Sequence, residues 1–345
     1  MSAKSRELSI GIIGAGRIGM LHAYNLARRI PHVHVVGVAD PRLACARAAA
    51  AVARADVVVD DYRQLLVRQS IDAVVICSST DTHARIIVEA AAAGTHIFCE
   101  KPIDHDLDRI REALQAVDKA GVRFQVGFNR RFDPDFQALR QQVCAGLVGV
   151  PQLVRITSRD PAPPPAEYIR VSGGLFLDMS IHDLDMARFL VQEPVVDVFA
   201  TGSAFDPAIA ALGDIDTAVI LLRFAGGAIC SIDNSRRAVY GYDQRLEVFG
   251  SRGCLTVANH TPTGVEHWDG AGQHRDRLQH FFLDRYQESY VLELKEFVER
   301  VRHGREASVS GHDGLQAVLL ALAARTSLQE GRTVHLDPAT GLDAA

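Results

Sequence analysis

The sequence has 345 residues, enough for two domains of ordinary size, and it is 48% hydrophobic and 23% charged. This composition excludes disordered, collagen-like and fibrous proteins. A net charge of −5 without a block of basic residues argues against nucleic acid as a partner, and no apolar run has the length of a membrane span.

The six cysteines stand singly, without CxxC pairs or clusters with histidine. The pattern therefore predicts neither a disulfide scaffold nor a metal site. The N-terminal residues 1–8 are polar and lack the apolar core of a signal peptide. We expect a cytoplasmic protein that carries no metal and does not contact membranes.

The first part of the chain alternates short apolar runs with helix-forming segments. The runs lie at 9–13, 34–39, 73–77, 96–99 and 123–126, and the helical patterns at 20–29, 41–54, 82–93 and 107–120. Short buried strands separated by helices predict a parallel, doubly wound sheet and an α/β fold.

The pattern changes after residue 128. Alternating segments at 152–158, 217–224, 228–234 and 245–249 favour an antiparallel sheet, and late helices are predicted at 290–303 and 312–329. We therefore predict two domains, 1–126 and 127–345. The second would be an α+β domain, whose last helices could pack back on the first.

A glycine turn, Gly14-Ala15-Gly16-Arg17-Ile18-Gly19, follows the first strand and opens the first helix. In this context the glycines favour close approach of a pyrophosphate to the helix N-terminus. The turn could also do no more than pack a helix on a sheet. Asp40 ends the next strand, where its carboxylate can bind the adenosine ribose.

Asp40 also favours NAD over NADP, because a carboxylate repels a 2′-phosphate; Arg42 would weaken that preference. Another strand ends at the same edge of the sheet and continues into three hydroxyl side chains. We expect these side chains to line the cofactor crevice: Ser78, Ser79 and Thr80.

The tetrapeptide Cys99-Glu100-Lys101-Pro102 ends a further strand at this edge. An ammonium group there could hold a substrate hydroxyl and stabilise the alkoxide that develops as hydride leaves. Lys101 could instead be an ordinary surface lysine after a strand. On the tetrapeptide alone, the surface lysine is the better interpretation.

A second polar group lies within residues 173–185. Asp178, His182 and Asp185 fall at positions i, i+4 and i+7 of a predicted helix, so we expect them to share one face. A histidine can accept a proton near neutral pH, and a carboxylate one turn away can orient it. The pair could instead be a helix-stabilising contact or a core histidine with its partner.

Together, these motifs resemble those of the Gfo/Idh/MocA oxidoreductases along nearly the whole chain, and most closely the members that act on inositols. The Glu-Lys-Pro turn and the Asp-x-x-x-His helix are specific for this family when they occur together, so catalysis becomes the leading interpretation. The motifs that carry the resemblance are Gly14-Ala15-Gly16-Arg17-Ile18-Gly19, Glu100-Lys101-Pro102, Gly127-Phe128-Asn129-Arg130-Arg131-Phe132-Asp133, residues 173–186 and Tyr240-Gly241-Tyr242-Asp243.

The resemblance implies an N-terminal Rossmann domain and a C-terminal domain with an open, mainly antiparallel sheet. The free face of this sheet would form homodimers or homotetramers. It also implies that Lys101 and His182 are the catalytic pair with Asp178 orienting them, and that Pro102 follows a cis peptide bond.

The resemblance further implies which residues bind the two small molecules. NAD would contact Gly14, Ala15, Gly16, Arg17, Ile18, Asp40, Arg42, Ser78, Ser79, Thr80, His83, Glu100, Lys101 and Asn129. The substrate would contact Lys101, Arg130, Asp160, Asp178, His182 and Tyr242.

The implied reaction is NAD-dependent oxidation of a secondary hydroxyl on a cyclic polyol or sugar. The expected reaction converts myo-inositol to 2-keto-myo-inositol, with His182 as the base and Lys101 assisting. Scyllo-inositol or an aldose would be alternative substrates. A sensor that binds NAD without turnover is the alternative from another class.

Overall fold

The computed structural model describes residues 7–68 and 70–337. Residues 1–6, which form most of the polar N-terminus considered above, lie outside the described residues. The chain divides into two compact units: a first unit of residues 1–129 and 288–318, and a second of residues 130–287 and 319–345. The domain limits drawn from the sequence, 1–126 and 127–345, stay a prediction.

The first unit is built on a sheet of parallel strands with helices between them. Its strands are β1 (Leu8–Ile13), β2 (Val33–Ala39), β3 (Val57–Val59), β4 (Ala73–Ile76), β5 (His96–Glu100) and β6 (Phe124–Gly127). The helices between them are α1 (Arg17–Arg28), α2 (Leu43–Ala53), α3 (Arg63–Leu66), α4 (Thr80–Ala92) and α5 (Leu107–Ala120).

The strand order β3-β2-β1-β4-β5-β6 confirms the predicted doubly wound parallel sheet. All four residues of β4 are buried, as expected for a strand that is covered by helices on both faces. The order reverses between β1 and β4, and ligands of open α/β sheets bind at the carboxyl ends of strands near such a point.

The second unit contains a mixed sheet and a separate hairpin. Its strands are β7 (Pro151–Arg159), β8 (Val195–Ser203), β9 (Thr217–Phe224), β10 (Ile229–Ser235), β11 (Asp243–Gly250), β12 (Gly253–Val257), β13 (Glu266–Asp269), β14 (Gly272–Arg275) and β15 (Val334–His335). Its helices are α6 (Pro134–Cys144), α7 (Ala166–Ser172), α8 (Ile181–Val191), α9 (Pro207–Ala210) and α10 (Phe282–Arg285).

The mixed sheet has the order β12-β11-β7-β10-β9-β8-β15. Its β7–β10 pair is parallel and the other pairs are antiparallel, which confirms the predicted open, mainly antiparallel sheet. Alternate residues of β9 are buried and exposed. One face of β9 therefore packs on the core of the unit, while the other is open.

Two long helices lie late in the chain, α11 (Gln287–Arg302) and α12 (Gly311–Glu330). Val291, Leu294 and Phe297 of α11 belong to the same apolar cluster as Ile10 and Ile12 of β1. The start of α12 also packs within the first unit, because a Cβ on Gly311 would stand 2.2 Å from the side chain of Leu114 of α5. Within the described residues, no helix is both long and apolar enough to cross a membrane.

Candidate active site

The glycine turn joins β1 to α1, and its three glycines have different surroundings. Gly14 has a φ of +94°, and a Cβ there would lie 2.4 Å from the Ser78 backbone nitrogen. A Cβ on Gly19 would lie 2.0 Å from the Gly14 carbonyl oxygen, whereas one on Gly16 would meet nothing within 4 Å. Gly14 and Gly19 therefore serve chain packing, and Gly16 faces open space of the kind a pyrophosphate needs.

The Asp40 carboxylate follows β2 and fixes the glycine turn. Its Oδ2 accepts a hydrogen bond from the Ala15 N–H at 2.8 Å, and its Oδ1 accepts one from the Arg42 N–H at 2.8 Å. Each oxygen keeps a lone pair for a ribose hydroxyl. The Arg42 side chain is exposed and reaches Asp40 at 3.5 Å, so its charge is partly balanced by that carboxylate.

The segment between β4 and α4 lies at the same sheet edge. The Ser78 and Thr82 hydroxyls hydrogen-bond to each other at 2.7 Å, Ser79 is the residue before α4, and Thr80 begins that helix. The first N–H groups of a helix have no partner within the helix. The predicted positions of Ser78, Ser79 and Thr80 at the carboxyl edge therefore agree with the structure.

His83 connects this segment to the turn after β5. Its buried ring places Nδ1 2.8 Å from the Pro102 carbonyl oxygen and Nε2 3.0 Å from the Ser78 carbonyl oxygen. Burial lowers the pKa of His83, although both carbonyl oxygens favour the protonated ring. The structure thus gives His83 a positioning role, since its ring nitrogens are directed at the backbone.

Lys101 is half-buried at the carboxyl end of β5. The peptide bond between Lys101 and Pro102 is cis, as the resemblance implied. Asn129, two residues beyond β6, is buried, and its Nδ2 group has no hydrogen-bond partner among the described residues. A buried amide donor without a partner is costly, so it fits a position that a bound cofactor would complete.

The predicted helix around Asp178 needs a correction. Residues Phe176–Ser180 form a π-helical turn, and regular α-helix begins only at Ile181. The left-handed Gly173 and Gly174 precede this turn, and Asp214 accepts a hydrogen bond from the Leu175 N–H at 3.1 Å. A π turn has a wider repeat than an α turn, so the α-helical register assumed for this segment is wrong at Asp178.

Asp178 and Asp185, two members of the polar face predicted from spacing, have different partners. Arg236 donates to the Asp178 Oδ2 from both terminal nitrogens at 3.1 Å, and the Tyr168 hydroxyl donates to Oδ1 at 2.7 Å. Asp185 is buried, and its two oxygens accept hydrogen bonds from Arg131 at 2.6 and 2.8 Å. His182 is half-buried in the first turn of α8.

Arg130, a predicted substrate residue, is buried in an ion pair with Asp183, at 2.6 Å. The other Asp183 oxygen accepts a hydrogen bond from Asn234 at 2.8 Å, and Arg130 also donates to Ser158 at 3.2 Å. Burial raises the pKa of Asp183. Because its Nη1 group bonds to both Ser158 of β7 and Asp183 of α8, Arg130 ties this strand to this helix.

Asp160 and Tyr242, both in the second unit, interact electrostatically with the same charged residues, Arg130 and Asp183. Burial raises the pKa of Asp160 to about 6; the charges of Arg236 and Arg130 oppose this rise, and Asp178 adds to it. Burial also raises the pKa of the Tyr242 phenol. Asp160 therefore changes protonation close to neutral pH, next to the carboxylate predicted to act in catalysis.

Two residues of this site were not singled out as functional by the sequence, Arg236 and Tyr168. Arg236 is among the most deeply buried large side chains, with 1% exposure. It lies 58 residues from Asp178 along the chain, and Tyr168 lies in a different helix. Sequence spacing could not reveal either partner of Asp178.

A parallel sheet with this glycine turn and acidic strand end defines a dinucleotide-binding oxidoreductase fold. Two family models match the chain. Residues 8–128 match the oxidoreductase family with NAD-binding Rossmann fold, and residues 136–256 match the GFO/IDH/MocA C-terminal domain. The chain therefore belongs to the GFO/IDH/MocA oxidoreductase family, and its first unit has the fold of an NAD-binding domain.

Three relatives are similar over almost their entire length. The myo-inositol 2-dehydrogenase of Thermotoga maritima is 47% identical and covers 97% of this chain and 100% of its own. The inositol 2-dehydrogenase of Rhizobium meliloti is 46% identical, over 94% and 98%. A crystal structure of Lactobacillus casei scyllo-inositol dehydrogenase with bound NAD(H) and scyllo-inositol has a TM-score of 0.90 and 30% identity, over 96% and 99%.

Proposed function

We propose that this chain oxidises a secondary hydroxyl of an inositol, with myo-inositol as substrate, 2-keto-myo-inositol as product and NAD as hydride acceptor. The observation that carries the proposal is full-length similarity, at 46–47% identity, to two proteins named inositol 2-dehydrogenases. The polar cluster around Asp178 is chemically suited to such a substrate, because a polyol presents many hydroxyl groups that donate and accept hydrogen bonds.

NAD would be held by the first unit, at the carboxyl ends of its strands. The open space at Gly16, the free lone pairs of Asp40 and the unpartnered amide of Asn129 all fit this assignment. Asp40 favours a ribose hydroxyl over a 2′-phosphate, so NAD is the proposed cofactor. When bound, NAD supplies an acceptor for hydride at C4 of the nicotinamide.

The chain itself would manage the proton and the charge on the substrate oxygen. We assign His182 as the base that takes the hydroxyl proton, and Asp178 as the carboxylate that orients it. Lys101 would donate a hydrogen bond to the same oxygen and stabilise negative charge as it develops. Arg236 and Tyr168 hold both oxygens of Asp178, which leaves its orientation well defined.

Scyllo-inositol is the second candidate substrate. It is favoured by the similarity to the Lactobacillus casei enzyme, which was crystallised with that polyol. The two inositols differ only in the orientation of the hydroxyl at C2, so the residues around Asp160 and Tyr242 would have to discriminate them. An aldose dehydrogenase or a sensor that binds NAD without turnover are the remaining alternatives.

The test is a substrate panel. Purified protein would be incubated with NAD or NADP and with myo-inositol, scyllo-inositol, glucose or xylose, while NADH or NADPH formation is followed by absorbance. We expect the largest kcat/KM for myo-inositol with NAD. NAD binding measured by calorimetry, without turnover of any panel member, would instead identify a sensor.

We also propose that the protein forms a homodimer or homotetramer through the open face of the mixed sheet. Across β10, β7 and β11, Ile229 lies opposite Leu153, and Leu153 lies opposite Phe249. Ile229 and Phe249 are both nearly half exposed, and Leu221 adds to the same face. A second copy of the chain would bury this apolar row.

A reducing compartment, the cytoplasm, is the proposed location. All six cysteines are free thiols, and Cys144 and Cys254 are exposed. Exposed single thiols are typical of proteins that are kept reduced.

A further inference from the structure

A cluster of three titratable side chains lies inside the first unit, and one of them directly precedes Lys101 in the sequence. His22 comes from α1, Glu100 from the end of β5 and Glu293 from α11. One nitrogen or oxygen atom of each lies within 4.8 Å of the others. His22 and Glu293 are completely buried, and the side chain of Glu100 is 12% exposed.

Glu100 is held tightly within this cluster. Its Oε1 lies 2.7 Å from the His22 Nε2, the length of a strong hydrogen bond. A Cβ on Gly127 would lie 3.1 Å from the Glu100 Oε2, so a larger residue there would have to displace the carboxylate by a few tenths of an ångström. The rings of Phe98 and Tyr290 pack edge-on against the His22 imidazole, with centroid distances of 5.4 and 5.9 Å. These contacts keep the imidazole in place.

Glu293 has no such partner. Both of its carboxylate oxygens are buried and lack a hydrogen bond among the described residues. Burial and the nearby charge of Glu100 raise its pKa well above the usual range. The other titratable groups around the cluster are the thiols of Cys77 and Cys99, whose pKa values are raised by burial, the phenol of Tyr290, and the imidazole of His83, whose pKa is lowered by burial. Burial disfavours a charge on both thiols and on His83, so these groups do not compensate a charged Glu293.

The distances favour a proton over a metal ion. Ligand atoms bound to one ion at about 2.1 Å stand about 3 Å or more apart, whereas the His22 and Glu100 atoms approach to 2.7 Å. A hydrogen bond accounts for that contact directly. A buried carboxyl group next to a second carboxylate is then most stable when it keeps its proton.

We propose that His22, Glu100 and Glu293 form a buried triad, in which Glu293 keeps its proton as a neutral carboxylic acid and the triad fixes the turn that carries Lys101. Glu100 precedes Lys101 directly, so the His22 hydrogen bond and the Gly127 contact set where β5 ends. His22 and Glu293 are thus positioning residues. The inference about Lys101 rests on the proposed function; the protonation of Glu293 does not.

Infrared spectroscopy tests the protonation without any need for turnover. A neutral buried carboxylic acid gives its own carbonyl band, separate from the carboxylate bands. At about pH 8, where Asp160 with its pKa of about 6 is ionised, we expect this band in the unmodified protein, its loss in Glu293→Gln, and its retention in Glu299→Gln, a control on the same helix. Absence of the band, or its persistence in Glu293→Gln, would overturn the proposal.

Steady-state kinetics test the positioning role. We expect His22→Gln to lower kcat on the order of tenfold, because small displacements of a catalytic group are costly, and to leave KM for NAD nearly unchanged. Glu293→Gln, which keeps a neutral group of the same shape, should retain several times more of kcat than Glu293→Leu. Equal losses of kcat and NAD affinity, or equal effects of the two Glu293 variants, would contradict the role.

Metal analysis distinguishes the proposed triad from a metal site formed by the same residues. A stoichiometric divalent metal in the purified protein that is lost in His22→Gln would overturn the triad in favour of a metal site. If the substrate panel shows no turnover, the infrared band still decides whether Glu293 holds a proton. Failure of the triad and failure of the proposed enzymatic function therefore give different results.

Discussion

Two charged side chains of the proposed site, Lys101 and Asp178, are held in defined positions by the fold. Lys101 is half-buried at the end of a strand, and Asp178 has both oxygens occupied by donors. A carboxylate with such defined partners loses little orientational freedom when it acts, which is how preorganised sites lower a barrier.

The Lys101 prediction is a loss of turnover with retained cofactor binding. We expect Lys101→Ala to lower kcat by about 10³-fold, because the developing alkoxide loses its hydrogen-bond donor. NAD affinity measured by calorimetry should change little. Lys119→Ala, an exposed lysine on α5, is the matched control, and near-normal turnover of Lys101→Ala would refute the assignment.

The Arg236 prediction concerns the orientation of Asp178. Arg236→Lys keeps the charge but not the paired donors, so we expect kcat to fall on the order of tenfold. Tyr168→Phe removes one neutral donor, and we expect it to lower kcat by less than about fivefold. KM for NAD should stay constant in both. Arg237→Lys, an exposed neighbour, controls for local disturbance; an effect on NAD affinity as large as that on kcat would argue against this role.

The Asp160 prediction concerns stability against pH. The folded-state pKa of about 6 is above the usual 3.8, so stability is lost as pH rises between these values, while the unfolded chain ionises and the folded protein keeps its proton. Asp160→Asn lacks this loss. Its stability relative to the unmodified protein should rise by about 2 kcal/mol between about pH 4 and about pH 7.

Denaturant unfolding at the two pH values measures this change. Asp269→Asn, on the exposed β13–β14 hairpin, should show no such trend. A constant difference between Asp160→Asn and the unmodified protein would mean that Asp160 titrates normally.

At the scale of elements, different glycines of the β1–α1 turn serve chain packing and ligand binding. We expect Gly16→Ala to leave the melting temperature unchanged and to weaken NAD binding at least about tenfold, since the new methyl group occupies only the open space. Gly19→Ala should lower stability by about 2 kcal/mol or more, because its Cβ collides with the Gly14 carbonyl. Thermal melts and calorimetry distinguish them, and a destabilised Gly16→Ala would contradict the interpretation.

Elements with a regular hydrophobic pattern could be predicted from the sequence, and elements shaped by distant partners could not. The buried run of β4 and the alternation in β9 gave strands within a residue of those observed. The edge strand β12, with no buried residue, carries no such pattern. The π turn at Asp178 was missed for a different reason: its spacing of polar residues also fits an α-helix.

The candidate site shows the same division. The glycine turn, Asp40 and Lys101 could be located because strand ends converge at one edge of a parallel sheet. The pairs Arg130–Asp183 and Arg236–Asp178 join residues more than 50 positions apart. Only tertiary structure brings such partners together, so composition and spacing could not reveal them.

At the scale of the whole molecule, the prediction is that self-association depends on the open sheet face. We expect the double variant Ile229→Lys, Phe249→Glu to form a smaller assembly, because two charges would be buried in an apolar interface. Light scattering coupled to size-exclusion chromatography measures the mass. Val67→Lys, an exposed position in the first unit, is the control, and an unchanged assembly in the double variant would exclude this face.

The chain passes between its two units at 129/130, 287/288 and 318/319, and α11 supplies Leu294, Phe297 and Val298 to the interior of the first unit. On a ribosome, the N-terminal strands therefore emerge long before the helix that covers them. Their apolar surface stays accessible until α11, which ends at Arg302, has left the ribosome, a state that favours aggregation or capture by a chaperone. Production of this protein should consequently depend more on holding factors during translation than its final stability would suggest.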